Sequence, residues 1–115
     1  MEIYWKTIKG RKCLYLKFVG TFTEGDAVGA INEWMKFFDS SPNSKITFVW
    51  DCLQMKDYEK KARRLWQEKL LSKKQQIDKI WVISNSVIID IGVHVIATFT
   101  KLDIKVVPSE NEIKF

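Results

Sequence analysis

The sequence predicts one α/β domain, a mixed five-stranded sheet whose strands alternate with three main helices in the order ββαβαβαβ. Short apolar runs rich in β-branched and aromatic residues recur along the chain, as in buried strands. Longer segments with apolar residues three and four positions apart lie between them, as in helices that cover a sheet. With 115 residues, 46% hydrophobic and 29% charged, the chain has the size and composition of a single folded unit, so we expect residues 1–115 to share one core.

The first two strands are predicted to form an N-terminal antiparallel hairpin. Residues 3–8 and 13–19 favour strands, and the turn-like Lys9-Gly10-Arg11 joins them. Alternate apolar side chains of the second strand should point to one face of the sheet. These side chains are Leu14, Leu16 and Phe18.

The first helix is predicted from Thr23 to about Phe38. Gly20 interrupts the preceding strand, and Asp26 three residues after Thr23 is typical of a capping pair at a helix start. One apolar stripe follows the helical period, and we expect it to lie on the sheet. The stripe consists of Val28, Ile31, Trp34, Met35 and Phe38.

The central strands and the second helix follow. Residues 46–50 and 80–83 are almost continuously apolar, which is typical of parallel strands covered on both faces. Asp57 can cap a helix between them. Crossovers between parallel strands are right-handed, so helices should cover the sheet. The second helix would carry the apolar residues Tyr58, Ala62, Leu65, Trp66 and Leu70.

The last crossover is predicted from a cap at Ser86. A third helix should run through Phe99, and residues 104–107 form the fifth strand. The apolar stretch 87–99 is shorter than the roughly 20 residues of a membrane span, and residues 1–5 do not resemble a secretory leader. We therefore expect a soluble, cytoplasmic protein with no transmembrane segment.

The two cysteines do not indicate a metal or redox centre. Cys13 and Cys52 lie far apart and match no zinc or CxxC spacing. We expect reduced thiols and no cofactor.

Several short stretches of the sequence resemble the SpoIIAA-like branch of the STAS superfamily. The superfamily is named after sulfate transporter and anti-sigma factor antagonist domains. The likeness rests on Trp50-Asp51, Ala62-Arg63-Arg64-Leu65-Trp66, the run from Ile77 to Ile83, Ile91-Gly92 and Thr98-Phe99-Thr100. This resemblance implies a stand-alone domain with a mixed sheet and helices packed mainly on one side. It also implies a weak link to lipid-binding CRAL-TRIO folds.

The resemblance also marks a switch position. Anti-sigma antagonists of the superfamily switch partners through a phosphorylated serine in an Asp-Ser-Ser/Thr-Gly motif at the start of the second helix. The counterpart here is Asp57-Tyr58-Glu59-Lys60, which lacks both the serine and the glycine. This position therefore lacks the serine hydroxyl on which a phosphate would remodel the partner interface.

The end of the third strand is a candidate binding site. Asp51 and Cys52 lie at the edge where open α/β sheets commonly bind ligands. The structural alternative is a carboxylate that satisfies loop amides. A neighbouring carboxylate also raises the pKa of a thiol, so Cys52 is a poor nucleophile. Asp57 and Tyr58, at the switch position, are the second pair of candidate partner-binding residues.

The start of the third helix is the other candidate. Backbone amides near Asn85 and Ser86 could hold an anion, although ordinary N-capping explains the same residues. The only histidine, His94, is interpreted as a packed or surface side chain because no orienting acid and nucleophile accompany it.

The net charge of +5 is concentrated in one segment. Residues 56–79 carry nine Lys and Arg against four Asp and Glu. Glu59 and Glu68 interrupt the basic run and aromatic residues do not alternate with it, so the pattern indicates a solvated face and does not favour nucleic acid.

These observations favour a non-enzymatic regulatory or protein-interaction module. A homodimer is expected if Trp and Tyr side chains remain exposed. The alternative is a carrier for a small apolar ligand or lipid, with aromatic rings as pocket walls. An enzyme would require Asp51, Cys52 and His94 within hydrogen-bond reach of each other.

Overall fold

The fold is described from a computed structural model that covers residues 1–115. The strands are β1 Glu2–Ile8, β2 Arg11–Phe22, β3 Ile46–Tyr58, β4 Ile77–Ile83 and β5 Ile104–Val107. The helices are α1 Glu24–Asp39, α2 Lys60–Ser72 and α3 Val87–Thr100, with short 3-10 turns at Lys74–Gln76 and Glu110–Glu112. The strands lie in the order β1-β2-β3-β4-β5, with β1 antiparallel to β2 and all other pairs parallel. The predicted mixed sheet and element order are confirmed.

All three helices lie on the same face of the sheet. Each crossover steps one strand in the same direction, and crossovers of one hand then place every helix on the same side. One buried cluster joins Trp34 of α1, Trp66 of α2 and Ile89 of α3 to side chains of β2, β3 and β4. The one-sided packing of the helices that the resemblance implies is therefore confirmed.

Aromatic rings dominate the core beneath the helices. Trp66 lies at its centre, with ring centroids 6.0 Å from Trp34 and 5.9 Å from Trp50. Phe18 and Phe22 of β2 also contact it edge-on, at 5.8 Å and 5.2 Å. Such edge-to-face pairs stabilise a core beyond the area they bury. The tryptophans thus serve mainly as core residues.

The opposite face is closed by residues 108–115, a segment that includes the 3-10 turn Glu110–Glu112 and that we call the strap. Ile113 of the strap is fully buried against Val49 and Trp81 of the central strands. The Lys9 ammonium donates hydrogen bonds to the carbonyl oxygens of Asn111 and Ile113, at 2.6 Å and 2.7 Å. A helix-free face is therefore still desolvated, which explains why the central strands are apolar on both sides.

Two strands run further than predicted. β2 continues through Gly20, whose φ of +72° is open to glycine without steric cost, and β3 continues from Trp50 to Tyr58. The β4 pairing of β3 ends at Asp51. Residues 19–22 and 52–58 therefore form a two-stranded extension beyond the sheet, which we call the β2–β3 arm.

The predicted start of the second helix is wrong. Asp57 and Tyr58 belong to β3, and the N-cap of α2 is Glu59, which makes no side-chain cap. The Glu59 carboxylate instead accepts a hydrogen bond from the Glu24 backbone N–H, at 2.8 Å. It therefore satisfies a free amide in the first turn of α1.

The caps of the other two helices are confirmed. The Thr23 hydroxyl accepts from the Asp26 N–H at 3.1 Å, and the Ser86 hydroxyl accepts from the Ile89 N–H at 3.4 Å. The apolar stripe of α1 differs from the predicted one by one position, because Val28 is 46% exposed while Ala27 is buried.

None of the helices combines the length and the apolar character needed to cross a membrane.

Candidate functional site

An apolar cavity of about 40 Å³ lies between the β2–β3 arm, α2 and α3. Ten of its twelve lining residues are hydrophobic. It occupies the helix-covered face at the carboxyl ends of β2 and β3, the edge where open α/β sheets bind ligands. The lining residues are Phe18, Phe22, Trp50, Cys52, Met55, Tyr58, Arg63, Trp66, Ile89, Gly92, Val93 and Ile96.

Two irregularities in the β2–β3 pairing shape this cavity. The register shifts between Lys17 and Val19, and again between Gly20 and Thr21, and each shift adds one residue to β3. In a regular strand, Gln54 would follow Cys52 on the helix-facing side. The first added residue instead brings Met55 to that side, and the second restores the original alternation, so Tyr58 also faces the helices.

Tyr58 seals one end of the cavity against α3. A Cβ atom at Gly92 would stand 2.7 Å from Cζ of the Tyr58 ring, which is closer than two carbon atoms can approach. Gly92 is therefore needed so that the ring can lie on the helix backbone. Tyr58 is thus a packing residue.

Cys52 lies on the cavity side and is almost completely buried. Burial raises the pKa of the thiol, and the charges of Asp51 and Asp90 raise it further. Cys52 is consequently a neutral thiol, which is a weak nucleophile.

Asp51 faces the opposite side of the sheet. Its Oδ2 accepts a hydrogen bond from the Tyr15 hydroxyl at 2.7 Å, and its Oδ1 accepts from the Leu53 N–H at 3.2 Å. Burial, with smaller effects from the hydrogen bond and charge of Asp51, raises the pKa of Tyr15. Asp51 therefore has the structural role of the alternative interpretation, except that the amide it satisfies lies within β3 and not in a loop.

The structure does not bring the three residues of the enzyme hypothesis together. Asp51 and Cys52 are neighbours in the chain but point to opposite faces, and His94 is exposed on α3. No group of three or more His, Cys, Asp and Glu side chains is arranged to hold a metal ion.

The other predicted site residues do not line the cavity. Asp57 accepts a hydrogen bond from the Tyr58 N–H at 2.7 Å, and the Asn85 amide donates to the Pro108 carbonyl at 3.4 Å. Ser86 caps α3. Of the six candidates, the structure brings together only Cys52 and Tyr58.

Sequence reasoning missed the exposed outer side of α3. Five large hydrophobic residues lie there with 38% to 73% of their surface exposed. We call them the α3 apolar face, and they are Val87, Ile88, Ile91, Val95 and Phe99. The opposite side of the same helix lines the cavity. A helix that is apolar all round is normally buried all round, and this was the available signal in residues 87–99.

The aromatic residues expected at a dimer interface are mostly hidden. Four of the five tryptophans are buried, Trp5 is half-buried, and Tyr4 is the only exposed tyrosine. The exposed apolar residues are therefore largely aliphatic, and α3 carries more of them than any other element.

No protein-family model matches the chain, and no curated protein matches it. Among solved structures, the chain is similar to an uncharacterised protein of the DUF3478 family from Shewanella loihica PV-4, described as having a SpoIIAA-like fold. The TM-score is 0.79 at 14% sequence identity, over 96% of this chain and 88% of that chain. An extensive backbone match at such low identity defines the fold and leaves the activity open. The chain thus has a SpoIIAA-like fold, as the residues that resemble that branch of the STAS superfamily predict.

Proposed function

We propose that the chain is a non-enzymatic protein-interaction module that binds its partner through the α3 apolar face. The observation that carries the proposal is the concentration of five exposed apolar side chains along one helix. Apolar patches of this kind mark contact sites on small proteins, because water solvates them poorly.

The arrangement of the polar residues supports a role without catalysis. Asp51 accepts hydrogen bonds from Tyr15 and Leu53, and Cys52 is a buried neutral thiol. His94 is exposed on α3 and makes no hydrogen bond to Asp51 or Cys52. General acid–base or nucleophilic catalysis needs such groups to meet around a substrate.

The switch position supports a regulatory route different from that of the anti-sigma antagonists. The Tyr58 ring lies against Gly92 and forms part of the cavity wall. Partner choice would therefore depend on the surface of α3 and not on serine phosphorylation at the start of α2.

A matched pair of variants tests the proposal. Ile91→Asp places a charge on the α3 apolar face, and Val28→Asp places the same charge on a similarly exposed position of α1. In pull-downs from the native host, we expect a protein partner to be retained by the wild type and Val28→Asp, and reduced at least about tenfold by Ile91→Asp. Equal recovery with both variants, or recovery of a small metabolite and no protein, would contradict the proposal.

A second candidate function is the binding of a small apolar ligand, supported by the apolar lining of the cavity. Its volume of about 40 Å³ accommodates a few atoms, whereas ligand pockets commonly measure roughly 300–1,000 Å³. A larger ligand would require Met55 and Tyr58 to move away from α3.

Native mass spectrometry of the purified chain tests this second function. A ligand bound in the cavity should disappear in Ile89→Phe, because the larger side chain fills the space. A wild-type spectrum without bound species, together with no rise in melting temperature on adding short-chain alcohols or fatty acids, would exclude it.

A further inference from the structure

We propose that the partner of the α3 apolar face is a second copy of this chain, in a two-fold symmetric dimer with antiparallel α3 helices. This inference rests on the proposed function, since it names the partner of the same surface. It follows from the shape of the face, its charge and the position of its two ionisable neighbours.

The face is long and straight enough to serve as a helix–helix interface. Ile88, Ile91, Val95 and Phe99 follow each other at spacings of three and four residues, so they form one stripe along the helix. The 14 residues of α3 extend over about 21 Å. Such a stripe can interdigitate with an identical stripe, as in a two-stranded helical pair.

The charge distribution favours a neutral occupant. The chain carries a net charge of +5, yet no Lys or Arg lies within Val87–Thr100. An acidic partner or an anionic membrane would find no cation there, and membrane-surface helices are typically rich in basic residues. A second copy presents a face of the same length and the same neutrality.

Two ionisable side chains lie beside the face on a single edge. Asp90 and His94 are one helical turn apart, and one carboxylate oxygen of Asp90 is buried without a hydrogen-bond partner in the chain. When a two-fold axis relates two antiparallel helices, the same edge of each helix lies on the same side of the interface, and the two edges run in opposite directions. Asp90 of one subunit then lies beside His94 of the partner subunit, so an acidic and a basic side chain face each other across the interface.

Analytical ultracentrifugation of the full chain tests the dimer. We expect a species of twice the 13.5 kDa chain mass for the wild type and for Val28→Asp. Ile91→Asp should raise the dimer dissociation constant by about 30-fold or more, as expected at an interface hot spot. Circular dichroism should show that both variants remain folded. A dimer that Ile91→Asp leaves intact would overturn the inference.

Cross-linking tests the position of the axis. Both native cysteines are buried, so Ile91→Cys introduces the one exposed thiol, close to the axis that places Asp90 beside His94 of the partner subunit. Under mild oxidation we expect a disulfide-linked dimer from Ile91→Cys and none from the control Val28→Cys. The same low yield from both variants would contradict an α3 interface.

The remaining outcomes separate this inference from the proposed function. A wild-type chain that stays monomeric at all concentrations, while Ile91→Asp abolishes capture of another protein, would overturn the dimer and leave the interaction module standing. Cosedimentation with phosphatidylcholine–phosphatidylserine vesicles that Ile91→Asp abolishes would assign the face to a membrane and overturn both. A monomer with neither activity would also overturn both.

Discussion

Gly92 is the residue whose smallness the fold needs most. An alanine there would place a methyl group 2.7 Å from the Tyr58 ring, so either the β2–β3 arm or α3 would have to shift. We expect Gly92→Ala to lower the free energy of unfolding by about 1–3 kcal/mol. Gly29→Ala, which meets no atom within 4 Å in the middle of α1, should instead raise it by about 0.5–1 kcal/mol. Urea denaturation measures both, and equal effects would contradict the close contact.

Tyr15 makes the free energy of unfolding depend on pH in the alkaline range. Its pKa is raised above the ordinary value of 10.0, first by burial and then by the hydrogen bond to Asp51, so the unfolded chain loses this proton at a lower pH than the folded chain. Stability is therefore complete below about pH 10 and falls as the pH rises through it. Denaturation of Tyr15→Phe across this range should show a shallower decline than the wild type. The decline that remains would include Cys52, whose pKa burial also raises above 9.0.

The side chains of the candidate site could be predicted only in part from the sequence. The apolar run that ends at Trp50 was visible in the sequence, but the predicted strand end at Asp51 and Cys52 is wrong, because pairing with β2 continues β3 to Tyr58. That the two side chains point to opposite faces follows from strand alternation. The arrival of Met55 in the cavity was not predictable, because it depends on an added residue in β3 that leaves no mark in the apolar pattern.

At the scale of elements, the helix starts can be tested directly. Thr23 caps α1 through its hydroxyl, whereas Asp57 lies in β3 and caps no helix. We expect Thr23→Ala to cost about 1 kcal/mol of unfolding free energy, and Asp57→Ala less than about 0.5 kcal/mol. Thermal denaturation of both variants measures the contrast. A larger loss for Asp57→Ala would restore the original prediction of a cap at that position.

The elements themselves were mostly predictable, and their ends were less so. The capping pair at Thr23 and the cap at Ser86 act locally, so sequence alone locates them. Gly20 was interpreted as the end of β2, but pairing with β3 carries the strand through it. Tertiary pairing of this kind overrides local preference, which is why the β2–β3 arm could not be predicted.

At the scale of the whole molecule, stability depends on the closure of the helix-free face by the strap. Ile113 is completely buried there, while Phe115 is 45% exposed. We expect Ile113→Ala to cost about 2–5 kcal/mol, since it leaves a cavity against the central strands. Phe115→Ala should cost clearly less. Chemical denaturation compares the two variants, and similar losses would mean that the strap is held by its end and not by Ile113.

The packing of all three helices on one face of the sheet could not be predicted from the apolar pattern of the single strands. Apolar runs in β3 and β4 correctly indicate strands buried on both faces, but they do not reveal what covers each face. Topology decides this, because sequential crossovers of one hand direct every helix to the same side. The covering of the other side then falls to residues 108–115, which have no periodic pattern of their own.

The way Lys9 holds the strap has a consequence for mutational tolerance. Its ammonium binds the carbonyl oxygens of Asn111 and Ile113, and carbonyl oxygens are present whatever side chain a residue carries. The side chains of Asn111 and Lys114 are both exposed, so substitutions there leave the attachment intact. In a saturation mutagenesis library, the strap should therefore accept almost any residue at these two positions, with selection concentrated on Ile113 and on Lys9 itself.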